Sequence, residues 1–225
     1  MSDTSVNRNG RNYDVDAMKG FAMMLVIIGH SFIAGYYGIN KIIFSFHMPF
    51  FFILAGYFAC ATSFHQVLNK SYRRLIVPYL LSAFIVVLIA LGYGDIELAK
   101  EKLLAILFPR GFHSQPIGYQ LNVVVGATWF LLALFWARLI FNILLNIISR
   151  INHYRLIYLT VLSVAISTGS IYLANTLTLL PFGILEGSQA IVYMAIGYVL
   201  NKEKLLPPPM FNKDYIMMSH RVLCF

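Results

Sequence analysis

Charge is what this 225-residue chain has least of. Asp, Glu, Lys and Arg make up 12% of it, about half of the roughly 25% usual in a soluble domain. Hydrophobic residues make up 59%, and the mean hydropathy is +0.72. That balance excludes an ordinary water-soluble globule. Cysteine is also scarce, with two residues. Cys60 falls in an apolar run and Cys224 in the tail, so a disulfide framework is excluded and reduced thiols are expected. There is no Gly-rich phosphate loop, no metal-ligand spacing and no G-x-S-x-G elbow. No resident metal or bound cofactor is therefore expected.

What the chain does have is long apolar stretches separated by polar breaks. A helix needs about 20 mostly apolar residues to cross the hydrocarbon. Six stretches qualify: 20–39, 42–62, 75–93, 123–145, 156–174 and 184–200. The expected fold class is all-α, a polytopic transmembrane helix bundle. The first two stretches are joined by a very short turn at Asn40-Lys41, which makes them antiparallel neighbours. The first is longer than a 7–15-residue signal core and lacks an A-x-A site, so it is expected to stay as an anchor.

The net charge of +8 raises nucleic acid as a partner, but its placement points elsewhere. With a cytoplasmic N-terminus, only Lys41, Lys100, Lys102 and Arg110 of the 17 Lys and Arg residues fall outside. This is the positive-inside bias of a multi-pass membrane protein. The expected partner is the lipid bilayer, including its anionic lipid. Arg138 is an exception, inside the fourth stretch. It can snorkel to the inner interface, the commoner outcome, or face a polar cavity.

Residues 1–15 read as a cytoplasmic arm, 16–200 as the transmembrane domain and 201–225 as a polar tail. Residues 64–74 read as a basic inner loop. Within the outer segment 94–122, DIELAKEKLLAILF reads as an amphipathic helix. Its apolar face takes in Ile96, Leu98/Ala99, Leu103 and Ile106/Leu107.

An ionisable group within a span is a functional candidate by default. His30 lies in such a run, GFAMMLVIIGHSFIAGYYG. A neutral imidazole is cheap enough to serve only as a helix–helix hydrogen bond, so both readings stand. Asp16 and Lys19 share a face of the same helix and can pair. His30 lies 11 residues beyond Lys19, close to the same face and about 16 Å deeper. The second stretch contains His47, among Phe44, Phe46 and Phe50 to Phe52, followed by Pro49. The short turn brings His47 within reach of His30, although an interfacial aromatic belt explains it equally. Gly56 permits close helix approach. Lys70, Arg73 and Arg74 are either a positive-inside anchor or a grip for phosphates, which suit arginine forks. Trp129 reads first as an interface anchor.

Taken in order, these segments resemble the acyltransferase family 3. They are D-x-x-K-G from Asp16, G-H at Gly29-His30, FHMPFFFILAGY at 46–57, K-x-x-R-R-L-I-V-P-Y at 70–79, W-F-L-x-x-L at 129–134, and LPFGILEGSQAIVYMAIGYVL at 180–200. That family comprises integral-membrane O-acyltransferases of surface polysaccharides, lipopolysaccharide and Nod-type oligosaccharides. The resemblance implies an acyl-CoA co-substrate, usually acetyl-CoA, on the cytoplasmic side and a carbohydrate hydroxyl as acceptor. It implies that His30 is the catalytic histidine, as base or as acyl carrier. Lys19 matches the basic position before it, oriented by Asp16. Lys70, Arg73 and Arg74 match the basic motif of the first inner loop, and His47 and Trp129 join them as substrate-binding candidates. The family has about ten spans against six here, so the chain reads as a C-terminally truncated member. A small transporter with His30 and His47 in a solute path is the competing class, and an inactive remnant is a third.

Overall fold

In the computed structural model the described residues are 13–29, 39–107, 129–149, 154–176 and 183–203. Among them every regular element is helical and none is a strand. The helices are α1 (Tyr13–Gly29), α2 (Ile39–Tyr57), α3 (Phe64–Ser71), a π-helical turn (Tyr72–Ile76), α4 (Val77–Gly92), α5 (Ile96–Leu107), α6 (Trp129–Ile148), α7 (Arg155–Thr176), α8 (Ile184–Gln189) and α9 (Ile191–Lys202). The chain divides into two compact units, one reaching to Phe51 and the other beginning at Phe52.

Among the described residues three helical stretches are long and apolar enough to cross a membrane: Phe64–Gly92, Trp129–Ile148 and Arg155–Ala174. Gly20–Gly29 and Lys41–Tyr57 are shorter apolar helices. The sixth stretch is divided at Ala190, which joins α8 to α9. Large apolar side chains coat the outside of α4 and α7, among them Leu81, Phe84, Ile85, Ile157, Val161 and Ile171. No soluble surface presents so much hydrocarbon to water, and lipid is the solvent that suits it. The all-α membrane bundle is what the composition predicts.

In the first unit, α2 begins at Ile39, so Asn40 and Lys41 lie in its first turn rather than in a link between helices. A polar pair beside an apolar run marks a helix start as readily as a turn. His47 is 3% exposed, and its Nδ1 donates to the Ile43 carbonyl at 2.8 Å. A carbonyl oxygen only accepts, so Nδ1 carries the hydrogen and Nε2 is the basic nitrogen of the neutral ring.

In the second unit α6 is the central post. It is 56% buried, against 22% for Phe64–Gly92 and for α7. Phe141, Leu145 and Ile148 of α6 pack with Leu159 of α7 and with Ile191, Met194 and Tyr198 of α9. Three glycines set how closely the helices approach. The hydrogen of Gly56 faces the Met194 backbone, and that of Gly197 faces the Ile53 backbone. Gly187 lies against Ala133, Trp136 and Ala137 of α6. Dispersion between close backbones is the main attraction available where lipid competes for apolar side chains.

The segment after α2 is held by amides. Asn142 accepts from the Thr62 N–H at 3.1 Å and donates to the Thr62 carbonyl at 3.1 Å, while Asn146 donates to the same carbonyl at 2.9 Å. Asn201 donates to the Tyr57 carbonyl, satisfying one of the acceptors left open at the α2 C-terminus. Asn142→Leu orphans the Thr62 N–H. We expect a loss of about 1–3 kcal/mol, read as a lower melting temperature of the purified chain in detergent.

Residues 64–74, expected as a loop, are helical. α3, the π turn and α4 run on as one 29-residue helix. Pro78 has no N–H to offer the carbonyl four residues back, and the wide turn just before it absorbs that break, with the Val77 N–H donating to the Tyr72 carbonyl. The amphipathic segment is helical as expected. Ala99 is buried, and the Ile106 carbonyl accepts from the Tyr79 hydroxyl at 2.8 Å, which ties the helix to α4, while Ile96 and Leu103 are exposed.

Candidate active site

The candidate catalytic residues divide between the described and the undescribed parts of the chain. His30 lies outside the described residues. Asp16 and Lys19 fall within α1, so the backbone places them one helical turn apart. α1 ends at Gly29, immediately before His30. His47 is buried within the first unit.

The second unit positions the basic residues and Trp129. Lys70 closes α3, and Arg73 and Arg74 sit on the π turn. All three side chains are exposed. The turn is held against α6, where Leu75 and Val67 pack on Phe135 and Leu139. A rigid π turn presents its side chains in a register that an ordinary turn does not, and such turns recur at functional sites. Arg73 and Arg74 are therefore carried on a braced helix, not on a loop.

Trp129 opens α6 and packs partly buried against the bundle core, so it is a packed side chain rather than only an interface anchor. Arg138 is nine residues along α6 from Trp129, a rise of about 13 Å.

Arg138 is partly buried and lines a recess with Cys60, Asn142, Phe141, Leu145 and Met194. Cys60, expected inside the second span, lies just past the end of α2 and retains its thiol. Sequence reasoning passed over Asn142 and Asn146, two amides four residues apart in an apolar helix. Their one-face spacing is the signal that finds them. Among the described residues no group of His, Cys, Asp and Glu side chains could hold a metal ion.

Comparison with known proteins agrees with the motif order. The sequence profile of the acyltransferase domain matches residues 12–219. The nodulation protein NolL of Mesorhizobium japonicum is 25% identical over 184 residues, covering 75% of this chain and 44% of NolL. The chain thus spans less than half the length of this relative. No solved structure matches it. A match over nearly the whole chain, on a bundle of apolar helices, places this integral-membrane protein in the acyltransferase family 3.

Proposed function

We propose that the chain is a membrane O-acyltransferase, moving an acyl group, acetyl in the simplest case, from acyl-CoA to a carbohydrate hydroxyl at the cell surface. The observation that carries this reading is the family match across residues 12–219, and the braced, exposed pair Arg73 and Arg74 supports it. In this reading the N-terminus is cytoplasmic and the membrane is the inner one, as the charge bias favours.

The donor's phosphates meet Lys70, Arg73 and Arg74, whose charge and donor geometry suit them. In this reading the His30 imidazole removes the acceptor's proton as its oxygen attacks the thioester carbon, and the C–S bond breaks to release CoA as thiolate, which is then protonated. In the second route His30 takes the acyl group first and passes it to the hydroxyl. A burst of CoA thiol, one per chain, from acetyl-CoA in the absence of acceptor marks the second route and separates the two. In this reading Lys19, oriented by Asp16, acts on the donor end.

The test is a kinetic split. In the chain reconstituted in liposomes, with CoA thiol release as readout, Arg73→Ala and Arg74→Ala raise KM for acetyl-CoA roughly tenfold each and change kcat little. Each removes about 1.4 kcal/mol of donor binding, within the range of a hydrogen bond to a charged group. An unchanged KM in both variants would remove the arginines from the donor site.

A further inference from the structure

Arg155 and Lys202 are two cations that the proposed reaction does not use. Among the described residues neither forms an ion pair, and Glu203, next to Lys202, is exposed and pairs with neither. One tyrosine gathers both. The Tyr198 hydroxyl accepts from Arg155 Nη2 at 3.1 Å, and the Lys202 ammonium lies 5.4 Å from the centre of the Tyr198 ring. Tyr198 is 3% exposed and stacks edge-on against Phe141 in the core, so the tyrosine is a fixed platform. The cluster consists of donors without acceptors. Arg155 Nε has no hydrogen-bond partner, and among the described residues nothing accepts the hydroxyl proton of Tyr198. Unpaired donors around two positive charges suit an anionic acceptor.

Depth and surroundings say which anion. Arg155 is the first residue of a helix long and apolar enough to cross a membrane, so it stands at headgroup level rather than in hydrocarbon. Tyr158 and Leu162, three and seven residues further along the same stripe of α7, are exposed. A soluble phosphate gains nothing from that apolar stripe, whereas acyl chains can lie along it. Basic pockets between helix ends at this depth are where acidic headgroups bind.

We infer that Arg155, Tyr198 and Lys202 form a headgroup site for an anionic phospholipid, its phosphate between the two cations and its acyl chains along Tyr158 and Leu162. The site is on α7 and α9, on other helices than Lys70, Arg73 and Arg74, and it does not depend on acyl transfer.

Native mass spectrometry tests this. The full chain in maltoside micelles is given equimolar phosphatidylglycerol and phosphatidylcholine, and the lipid that stays bound is weighed. One phosphatidylglycerol per chain is retained, at least about tenfold over phosphatidylcholine, and Arg155→Gln and Lys202→Gln each lower that preference about fivefold, the worth of one cation beside an acidic headgroup. Tyr198→Phe keeps the packed ring but loses the acceptor that orients Arg155, and lowers the preference less. Lys100→Gln removes the same charge from the ion pair with Glu97 on α5 and leaves the preference unchanged. Lys202 is exposed, so its variant decides the matter if the Arg155 variant does not fold. Equal retention of the two lipids, a preference undiminished in Lys202→Gln, or an equal fall with Lys100→Gln overturns the site. Displacement of the lipid by inorganic pyrophosphate overturns it too, because the anion is then a soluble phosphate.

Discussion

Replacing His30 with alanine lowers kcat for acyl transfer roughly a hundred- to ten-thousand-fold, the range spanned by a positioned general base. KM for acetyl-CoA changes little, because the donor's phosphates are gripped elsewhere, at Arg73 and Arg74. His30→Gln gives the same loss: glutamine can hydrogen-bond between helices but cannot take a proton near neutral pH. That pair of variants separates catalysis from the structural role that an intramembrane imidazole can also fill. If His30 only bridges helices, glutamine restores activity and alanine lowers the yield of folded protein. A glutamine variant at wild-type rate would end the catalytic assignment.

The second large effect is on folding. Gly56→Val pushes side-chain carbon into the Met194 backbone, and Gly197→Val does the same against Ile53. Backbone cannot move aside as a flexible side chain can, so α2 and α9 must separate. We expect a loss of at least about 1–3 kcal/mol for each, the usual cost of overpacking. Yield after detergent extraction and monodispersity on a sizing column would both fall. Gly169→Ala is the control. Nothing lies within 4 Å of the added carbon there, and alanine is the better helix former by about 1 kcal/mol. Its melting temperature stays level or rises. Equal damage from all three substitutions would mean that the α2–α9 approach is not what these glycines serve.

The bundle was legible from the chain because apolar length and charge bias depend on local composition alone. Gly56 was legible for the same reason, since a small residue in an apolar helix marks a crossing. Its partner was not, because Met194 lies far along the chain and only the fold decides which helix crosses. Arg73 and Arg74 were found, but their setting was missed. A basic stretch before a proline reads as a loop, and only packing against α6 holds it helical.

The most direct test of the account follows the acyl group itself. Membranes containing the chain are given acetyl-CoA labelled in the acetyl carbon, and the label is sought in envelope carbohydrate as an alkali-labile ester. The account predicts such label in the wild-type chain, dependent on acetyl-CoA and absent with His30→Ala. Label incorporated equally with His30→Ala, or movement of an unmodified solute with no ester formed, would contradict it.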